Sequence, residues 1–195
     1  MKIEYEATFT NINKDVMRAK LETSGASLIR PEYLQKRAVF ELPKGNEIKG
    51  GWLRVRDEGD RITLTLKVVR GAGIESQKEI LLEVNDFDQA ERLLTMIGCR
   101  KTAYQESRRE LWKLDGAEIT LDEWPFLEPL VEIEGNSEDQ VKDIAARLGF
   151  SYENALFGTV SALYDKKYGL SKDIFNNIPK IIFDMENPFI SKAAE

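Results

Sequence analysis

Residues 2–9 read Lys2-Ile3-Glu4-Tyr5-Glu6-Ala7-Thr8-Phe9, and polar and apolar side chains alternate throughout this stretch. Successive side chains of a β-strand point to opposite sides, so the stretch predicts a strand with one apolar and one polar face. The polar face carries Lys2, Glu4, Glu6 and Thr8. The apolar face needs a partner in a core, which leaves the charged face turned away from that core.

The same alternation returns in seven further segments of the chain. We predict strands over 26–42, 51–57, 61–69, 75–85, 100–113, 116–124 and 129–135. Helical spacing of apolar residues is found at 13–25, at 86–97, after the cap residue Ser137, and near 153–168. Short connections between the strands favour a mostly antiparallel sheet, so the predicted fold class is α+β.

The composition of the 195-residue chain excludes several kinds of chemistry. It contains no histidine, which removes Ser-His-Asp and Cys-His nucleophiles, histidine zinc sites and histidine acid–base catalysis. Lys and Arg number 28 against 34 Asp and Glu, so the net charge is −6 and we expect no nucleic-acid partner. The single cysteine, Cys99, ends an apolar helical pattern and is predicted to be a small buried side chain.

No segment approaches the roughly 18 apolar residues that a membrane span needs. The residues from Met1 to Glu6 are charged and have no apolar signal region. We therefore expect a cytoplasmic protein without a membrane partner.

Charged side chains share the polar faces of the predicted strands. The acids are Glu4, Glu6, Glu79, Glu83, Asp122, Glu132 and Glu134, and the bases are Arg54, Arg56, Lys67 and Arg109. The pattern allows an open sheet with one solvated face, or eight strands closed into a barrel around a charged interior. Carboxylates suit Mg²⁺ or Mn²⁺ and bases suit phosphate oxygens, so a closed barrel predicts a site for a metal ion and a polyphosphate.

These segments resemble the CYTH superfamily, also called the triphosphate tunnel metalloenzymes. Glu4-Tyr5-Glu6-Ala7-Thr8 is similar to the ExExK signature of that family. The resemblance continues, in order, through Trp52-Leu53-Arg54-Val55-Arg56, Leu64-Thr65-Leu66-Lys67, the segment from Glu79 to Glu83, Arg109, Leu121-Asp122-Glu123-Trp124-Pro125 and Val131-Glu132-Ile133-Glu134-Gly135. It covers residues 1–150.

The resemblance implies an eight-stranded antiparallel β-barrel, or tunnel, with a charged interior and flanking helices. It also implies a small-molecule triphosphate substrate and a divalent metal ion, Mg²⁺ or Mn²⁺. The implied catalytic and metal-binding carboxylates are Glu4, Glu6, Asp122, Glu132 and Glu134. The implied phosphate-binding bases are Arg54, Arg56, Lys67 and Arg109, with Glu79 and Glu83 as secondary carboxylates.

Three positions depart from the family pattern, and one of them is Glu128, which replaces the glycine often found before the last strand. Thr8 stands where the signature has a lysine, and Ser107 stands where the family often completes a Lys-x-Arg pair. Two bases are thus absent from the implied tunnel, which weakens the expected grip on a highly charged polyphosphate. Lys2 shares the face of Thr8 and is a candidate substitute.

Three functions remain open on the sequence. The first is metal-dependent hydrolysis of inorganic tripolyphosphate or of a nucleoside or thiamine triphosphate. The second is cyclisation of ATP to cyclic AMP, as in class IV adenylyl cyclases. The third is binding of a phosphate ligand without turnover, which the bases missing at Thr8 and Ser107 favour.

The chain divides into a tunnel domain over 1–150 and a helical C-terminal extension over 151–195, packed on the same domain. The extension is rich in aromatic residues. It is a candidate cover for one mouth of the tunnel or a contact in a homodimer. Packing that completes the core explains the same composition equally well.

Overall fold

A computed structural model describes residues 1–170, 175 and 178–190 of the chain. Eight strands alternate with helices and turns along residues 2–135. They are β1 (Lys2–Thr10), β2 (Ser27–Glu41), β3 (Gly51–Asp57), β4 (Ile62–Val69), β5 (Gln77–Val84), β6 (Arg100–Leu114), β7 (Ala117–Glu123) and β8 (Leu130–Gly135). The predicted strands match these in order, within a few residues at each end.

The eight strands form one closed barrel. Their order is β2-β3-β4-β5-β1-β8-β7-β6, and β6 pairs again with β2. All eight of these pairings are antiparallel. The predicted α+β fold with an eight-stranded antiparallel barrel is therefore confirmed, and the alternative of an open sheet is wrong.

Four helices accompany the barrel among the described residues: α1 (Lys14–Thr23), α2 (Phe87–Met96), α3 (Glu138–Arg147) and α4 (Ser161–Tyr168). The first three begin after Asn13, Asp86 and Ser137. Each of these side chains accepts a hydrogen bond from a backbone amide in the first turn, which satisfies a group that the helix leaves unpaired. None of the described helices is long and apolar enough to cross a membrane.

The hydrophobic core lies between the helices and the outer surface of the barrel. Helices α1 and α3 contribute Met17, Leu21, Val141 and Ile144, which pack with buried strand residues such as Ile133. Helix α2 packs Ala90 and Leu94 on Ala38 and Val55, and Cys99 is buried in the same cluster, as predicted. Because strand side chains alternate, burying the apolar faces outside turns the polar faces into the barrel.

The helix predicted near 153–168 is wrong in its first half, because helix α4 begins only at Ser161. Leu156 instead exchanges backbone hydrogen bonds with Thr8 in β1, at 3.0 and 2.9 Å. Gly158 then adopts a φ of 114°, a conformation incompatible with a helix. The extension is thereby tied to the barrel before its helix starts.

The C-terminal segment returns to the barrel through a two-residue strand, β9 (Lys180–Ile181), which pairs in parallel with β6. Its apolar side chains form a separate cluster around Tyr164 and Phe189. The Tyr164 hydroxyl donates to the Pro125 carbonyl oxygen at 2.7 Å. Part of the predicted extension, at 171–174, 176–177 and 191–195, lies outside the described residues.

Candidate active site in the barrel interior

A cavity of about 410 Å³ runs inside the barrel. It is lined by charged side chains from the inner faces of the strands and, at one end, by residues 158–161 and Phe175 of the C-terminal extension. The extension therefore contributes to the cavity wall.

The acids and bases occupy different halves of the barrel. Strands β5, β1, β8 and β7 are consecutive in the ring, and so are β6, β2, β3 and β4. The first half carries Glu79, Glu4, Glu6, Glu132, Glu134 and Asp122, which we call the acidic wall. The second half carries Arg109, Arg37, Arg54, Arg56 and Lys67, which we call the basic wall. In a ring of eight, β1 faces β2 and β8 faces β3, so the two walls face each other across the cavity.

Lys67 is paired with carboxylates of the acidic wall. Its ammonium donates to both carboxylate oxygens of Glu4, at 2.9 and 3.0 Å, and lies 3.7 Å from Glu79. Burial raises the pKa of Glu4, but the charge and hydrogen bonds of Lys67, together with a hydrogen bond from Gln77, outweigh burial and hold that pKa below its usual value. Burial raises the pKa of Glu79, and the nearby Glu4 charge adds to this rise.

Arg109 is held by two acids. Its Nε donates to Asp122 at 2.8 Å, a second hydrogen bond joins the same two side chains, and Nη2 donates to Glu132 at 2.6 Å. Burial lowers the pKa of Arg109, but the two carboxylates outweigh burial and raise it well above its usual value. Asp122 is therefore placed as the partner that orients Arg109.

Arg56 has a partner that lies outside the predicted set. It forms an ion pair with Glu58, a side chain only 2% exposed, which also accepts from Arg61 Nε at 2.8 Å. Glu58 belongs to the turn after β3, where acidic residues are common and are usually exposed to solvent. Nothing in the alternation of the strands distinguishes it as a buried group.

Arg54 differs from the other predicted bases because it has no carboxylate within 4 Å among the described residues. It is 8% exposed, and its Nε is buried without a hydrogen-bond partner. Burial and the charge of neighbouring Arg56 lower its pKa to about 9. The geometry thus leaves a buried positive group facing the cavity, with Glu79 and Glu4 as the nearest opposing charges and no ion pair to either of them among the described residues.

Glu6 is the counterpart of Arg54 on the acidic wall. It lines the cavity, and within the described part of the chain no basic group lies within 4 Å of its carboxylate. Burial raises its pKa well above the usual value, and the charges of Glu132, Glu4 and Glu134 add to that rise. The site thus contains mutually repelling carboxylates that a cation would relieve.

The acidic wall fits a hard divalent cation by the chemistry of its donors, since carboxylate oxygens are the ligands that Mg²⁺ and Mn²⁺ prefer. Among the residues the structure describes, no three acidic side chains are already gathered into a formed metal site. Glu4 and Glu132 turn instead toward Lys67 and Arg109.

The remaining predicted residues lie toward the ends of the barrel. Glu134 pairs with Lys2 at 3.2 Å, so Lys2 neutralises an acid at the mouth. Glu83 is exposed at the end of β5, 3.8 Å from Arg61 and outside the cavity lining. Thr8 is buried, and its backbone is engaged by Leu156.

Sequence reasoning missed Arg37. This residue of β2 is 7% exposed and lines the same cavity as Arg54. The signal was present, because buried Ala38 and Phe40 alternate on the outer face of β2 and thereby place Arg37 inside. The neighbouring Lys36 obscured it, since two adjacent bases do not reveal which of them faces the interior.

The CYTH domain family model matches residues 3–161, and the chain belongs to this family. Members of the family are catalytic, and they bind triphosphates with divalent metal ions. No curated protein matches the sequence significantly.

Several solved structures share the fold. A protein of Vibrio parahaemolyticus, described as a candidate adenylate cyclase, superimposes with a TM-score of 0.71 at 13% identity, covering 83% of this chain and 97% of that one. A Pyrococcus horikoshii protein gives 0.65 at 24% identity, covering 78% and 94%. A candidate adenylyl cyclase of Hippeastrum, described as having a dominant triphosphatase activity, gives 0.55 at 14% identity, covering 88% and 98%. At these identities the likeness establishes the fold.

Proposed function

We propose that this protein hydrolyses a small-molecule triphosphate, with a divalent metal ion, inside the barrel. One observation carries the proposal: Arg54 and Glu6, on opposite halves of the ring, line one cavity and lack partners of opposite charge among the described residues. A polyphosphate satisfies the basic side and a divalent cation satisfies the acidic side.

The basic wall binds the phosphate chain. Arg54 offers its unpaired guanidinium to phosphate oxygens, and Arg56, Lys67 and Arg109 contribute further positive charge. Hydrogen bonds between a guanidinium and a phosphate are charge-assisted on both sides and therefore strong. Asp122 fixes the plane of the Arg109 guanidinium through its two hydrogen bonds, which keeps that base oriented before substrate arrives.

The acidic wall holds the metal. Glu6 and Glu132 are the central ligands in this proposal, with Glu4, Glu134 and Asp122 beside them, and the ion is Mg²⁺ or Mn²⁺. When bound, the ion supplies Lewis-acid stabilisation of the charge on phosphate oxygens. In this proposal a carboxylate of the acidic wall accepts the proton of the attacking water, a role for which the chain has no histidine.

A second reaction, cyclisation of ATP, is favoured by the aromatic part of the lining. Trp52 and Trp124 border the cavity, which provides apolar surface for an organic group attached to the triphosphate. In this reaction a ribose hydroxyl replaces water as the nucleophile. The same two walls serve both reactions, so the products decide between them.

The deciding experiment measures phosphate release from inorganic tripolyphosphate, ATP, GTP and thiamine triphosphate, with Mg²⁺ or Mn²⁺, and separates nucleotide products by chromatography. We expect metal-dependent release of phosphate. Cyclic AMP with pyrophosphate would assign the cyclase reaction instead. Tight stoichiometric binding with no product from any substrate would overturn both enzymes in favour of a binding protein.

A matched pair of variants tests the site itself. Glu6→Gln removes an acid from the cavity, and Glu22→Gln removes one from the exposed surface of α1. We expect Glu6→Gln to lose metal-dependent turnover by at least about 100-fold, as is usual for a group acting on the transition state. Glu22→Gln should keep the wild-type rate, and equal rates in both variants would contradict the assignment.

A further inference from the structure

We propose that Arg37 forms an additional anion-binding subsite on β2, which takes a phosphoryl group of the substrate and supplies positive charge missing at Ser107. The inference rests on the proposed function, since it concerns the same cavity. It goes beyond that function by adding a base on a strand that the sequence did not implicate. The bases implied by the sequence lie on β3, β4 and β6, whereas Arg37 lies on β2.

Neighbouring side chains hold the Arg37 guanidinium in place. Nη2 donates to Ser107 Oγ at 2.6 Å and to Gln35 Oε1 at 3.2 Å. The guanidinium carbon lies 4.2 Å from the centre of the Trp124 ring, so the group stacks on this aromatic face. Stacking and two hydrogen bonds to neutral groups fix its orientation without cancelling its charge.

The charge of Arg37 is unbalanced. Within the described residues no carboxylate lies within 4 Å of it, and its Nε is buried with no hydrogen-bond partner. Burial lowers its pKa well below the usual value, and the charges of Arg54, Arg56 and Arg109 lower it further. A buried guanidinium among three others is unfavourable unless an anion enters the site.

The position of Ser107 explains why the base comes from β2. Ser107 is 1% exposed on β6, opposite Gln35 in the strand register, and its short side chain leaves space inside the wall. Arg37 reaches across the β2–β6 pair into that space, as its bond to Ser107 Oγ records. Arg37 lines the same cavity as Glu4 and Glu6, which lie on β1, the strand opposite β2 in the ring.

Calorimetric titration with inorganic tripolyphosphate in EDTA tests the subsite by binding alone. Arg37→Gln is compared with Lys36→Gln, which removes the same charge from the adjacent, exposed residue of β2. We expect Arg37→Gln to weaken the affinity about 10- to 100-fold, the usual effect of losing hydrogen bonds to a charged group. Lys36→Gln should bind as the wild type does.

Two further measurements separate binding from folding. The melting temperature of ligand-free Arg37→Gln should equal or exceed that of the wild type, because the variant removes a buried repulsive charge. In the double variant with Arg37→Gln and Ser107→Arg, a guanidinium is supplied from the neighbouring strand β6 instead. It should restore part of the affinity for tripolyphosphate. Arg37→Lys keeps the charge and should bind tripolyphosphate better than Arg37→Gln.

The outcomes distinguish this inference from the proposed function. If the wild type binds no tripolyphosphate either in EDTA or with Mg²⁺ present, the triphosphate site as a whole is wrong, and the subsite with it. If the wild type binds and Arg37→Gln binds equally well, only the subsite is overturned. A third outcome is that Arg37→Gln melts at a lower temperature than the wild type, and that neither adding Ser107→Arg nor using Arg37→Lys instead restores tripolyphosphate binding. Arg37 would then be a structural residue, and the subsite would be overturned as well.

Discussion

The ammonium of Lys67 is bonded to both carboxylate oxygens of Glu4, across the intervening strand β5. This ion pair joins the basic wall to the acidic wall where the two halves of the barrel meet. Each group is at most 8% exposed, so the pair is shielded from solvent. The free protein thus neutralises part of its interior charge by itself and leaves Arg54, Arg37 and Glu6 for ligands.

We expect Lys67→Gln to lower the free energy of unfolding by about 3 kcal/mol, because it leaves the Glu4 carboxylate buried without its counter-charge. Chemical denaturation at neutral pH measures this. Arg54→Gln is the matched comparison, since Arg54 is equally buried and has no carboxylate partner among the described residues. It should keep or increase stability, and an equal loss in both variants would contradict the different pairing of the two bases.

The stability of the metal-free protein should fall as the pH rises above about 4.3, the usual pKa of a glutamate in an unfolded chain. Burial and the charge of Glu132 raise the pKa of Glu6 in the folded state. The folded state therefore binds more protons than the unfolded one over this range, and unfolding becomes easier as they are lost.

Glu6→Gln isolates this contribution. Melting temperatures in EDTA between pH 5 and pH 8 should fall less in Glu6→Gln than in the wild type, because the variant cannot lose a proton at this position. Glu22→Gln, exposed on α1, should follow the wild type. The repulsion inferred around Glu6 is refuted if all three proteins show the same dependence on pH.

Divalent cations should raise the melting temperature. A ligand at 100 times its Kd adds about 2.7 kcal/mol to the stability, which corresponds to about 5–10 °C for a chain of this size. Titrations of Mg²⁺ and Mn²⁺ against the EDTA-treated protein measure the shift. The double variant Glu6→Gln with Glu132→Gln should lose most of it, and an undiminished shift in that variant would place the cation elsewhere.

Phe189 should be essential for anchoring the C-terminal segment. It is 0% exposed, and its ring centre lies 4.7 Å from that of Tyr164 and 5.1 Å from that of Tyr168. Phe189→Ala should lower the unfolding free energy by about 3–5 kcal/mol. The adjacent Ile190 is 66% exposed, so Ile190→Ala should change it by less than about 0.5 kcal/mol. Comparable losses in the two variants would show that the cluster is not what holds the segment.

Local pattern predicted the strands well. The predicted strand at 51–57 coincides with β3, and the alternation in it correctly separates inward Arg54 and Arg56 from outward Val55. The prediction succeeded because alternation is a property of neighbouring residues in a strand. The helix predicted near 153–168 failed for the converse reason, since a bridge to Thr8, far away in the sequence, decided the path of Leu156.

Closure of the barrel could not be read from alternation, which an open sheet satisfies equally well. It depends on β2 pairing with β6, for example Gln35 with Ser107, over many intervening residues. Resemblance to a family supplied that step. Arg37 was missed for a local reason: its alternation with buried Ala38 and Phe40 places it inside the barrel, but the adjacent base Lys36 made the inward residue ambiguous.

The sequence by itself determined the strands, which side chains share a face and the absence of histidine chemistry, because these follow from composition and the two-residue period of a strand. Only the tertiary structure decided which charges cancel: Lys67 with Glu4, and Arg109 with Asp122. Strand order and register set those distances, and the strength of a buried ion pair depends on distance and burial. The charges left over, at Arg54, Arg37 and Glu6, are therefore a product of the closed barrel.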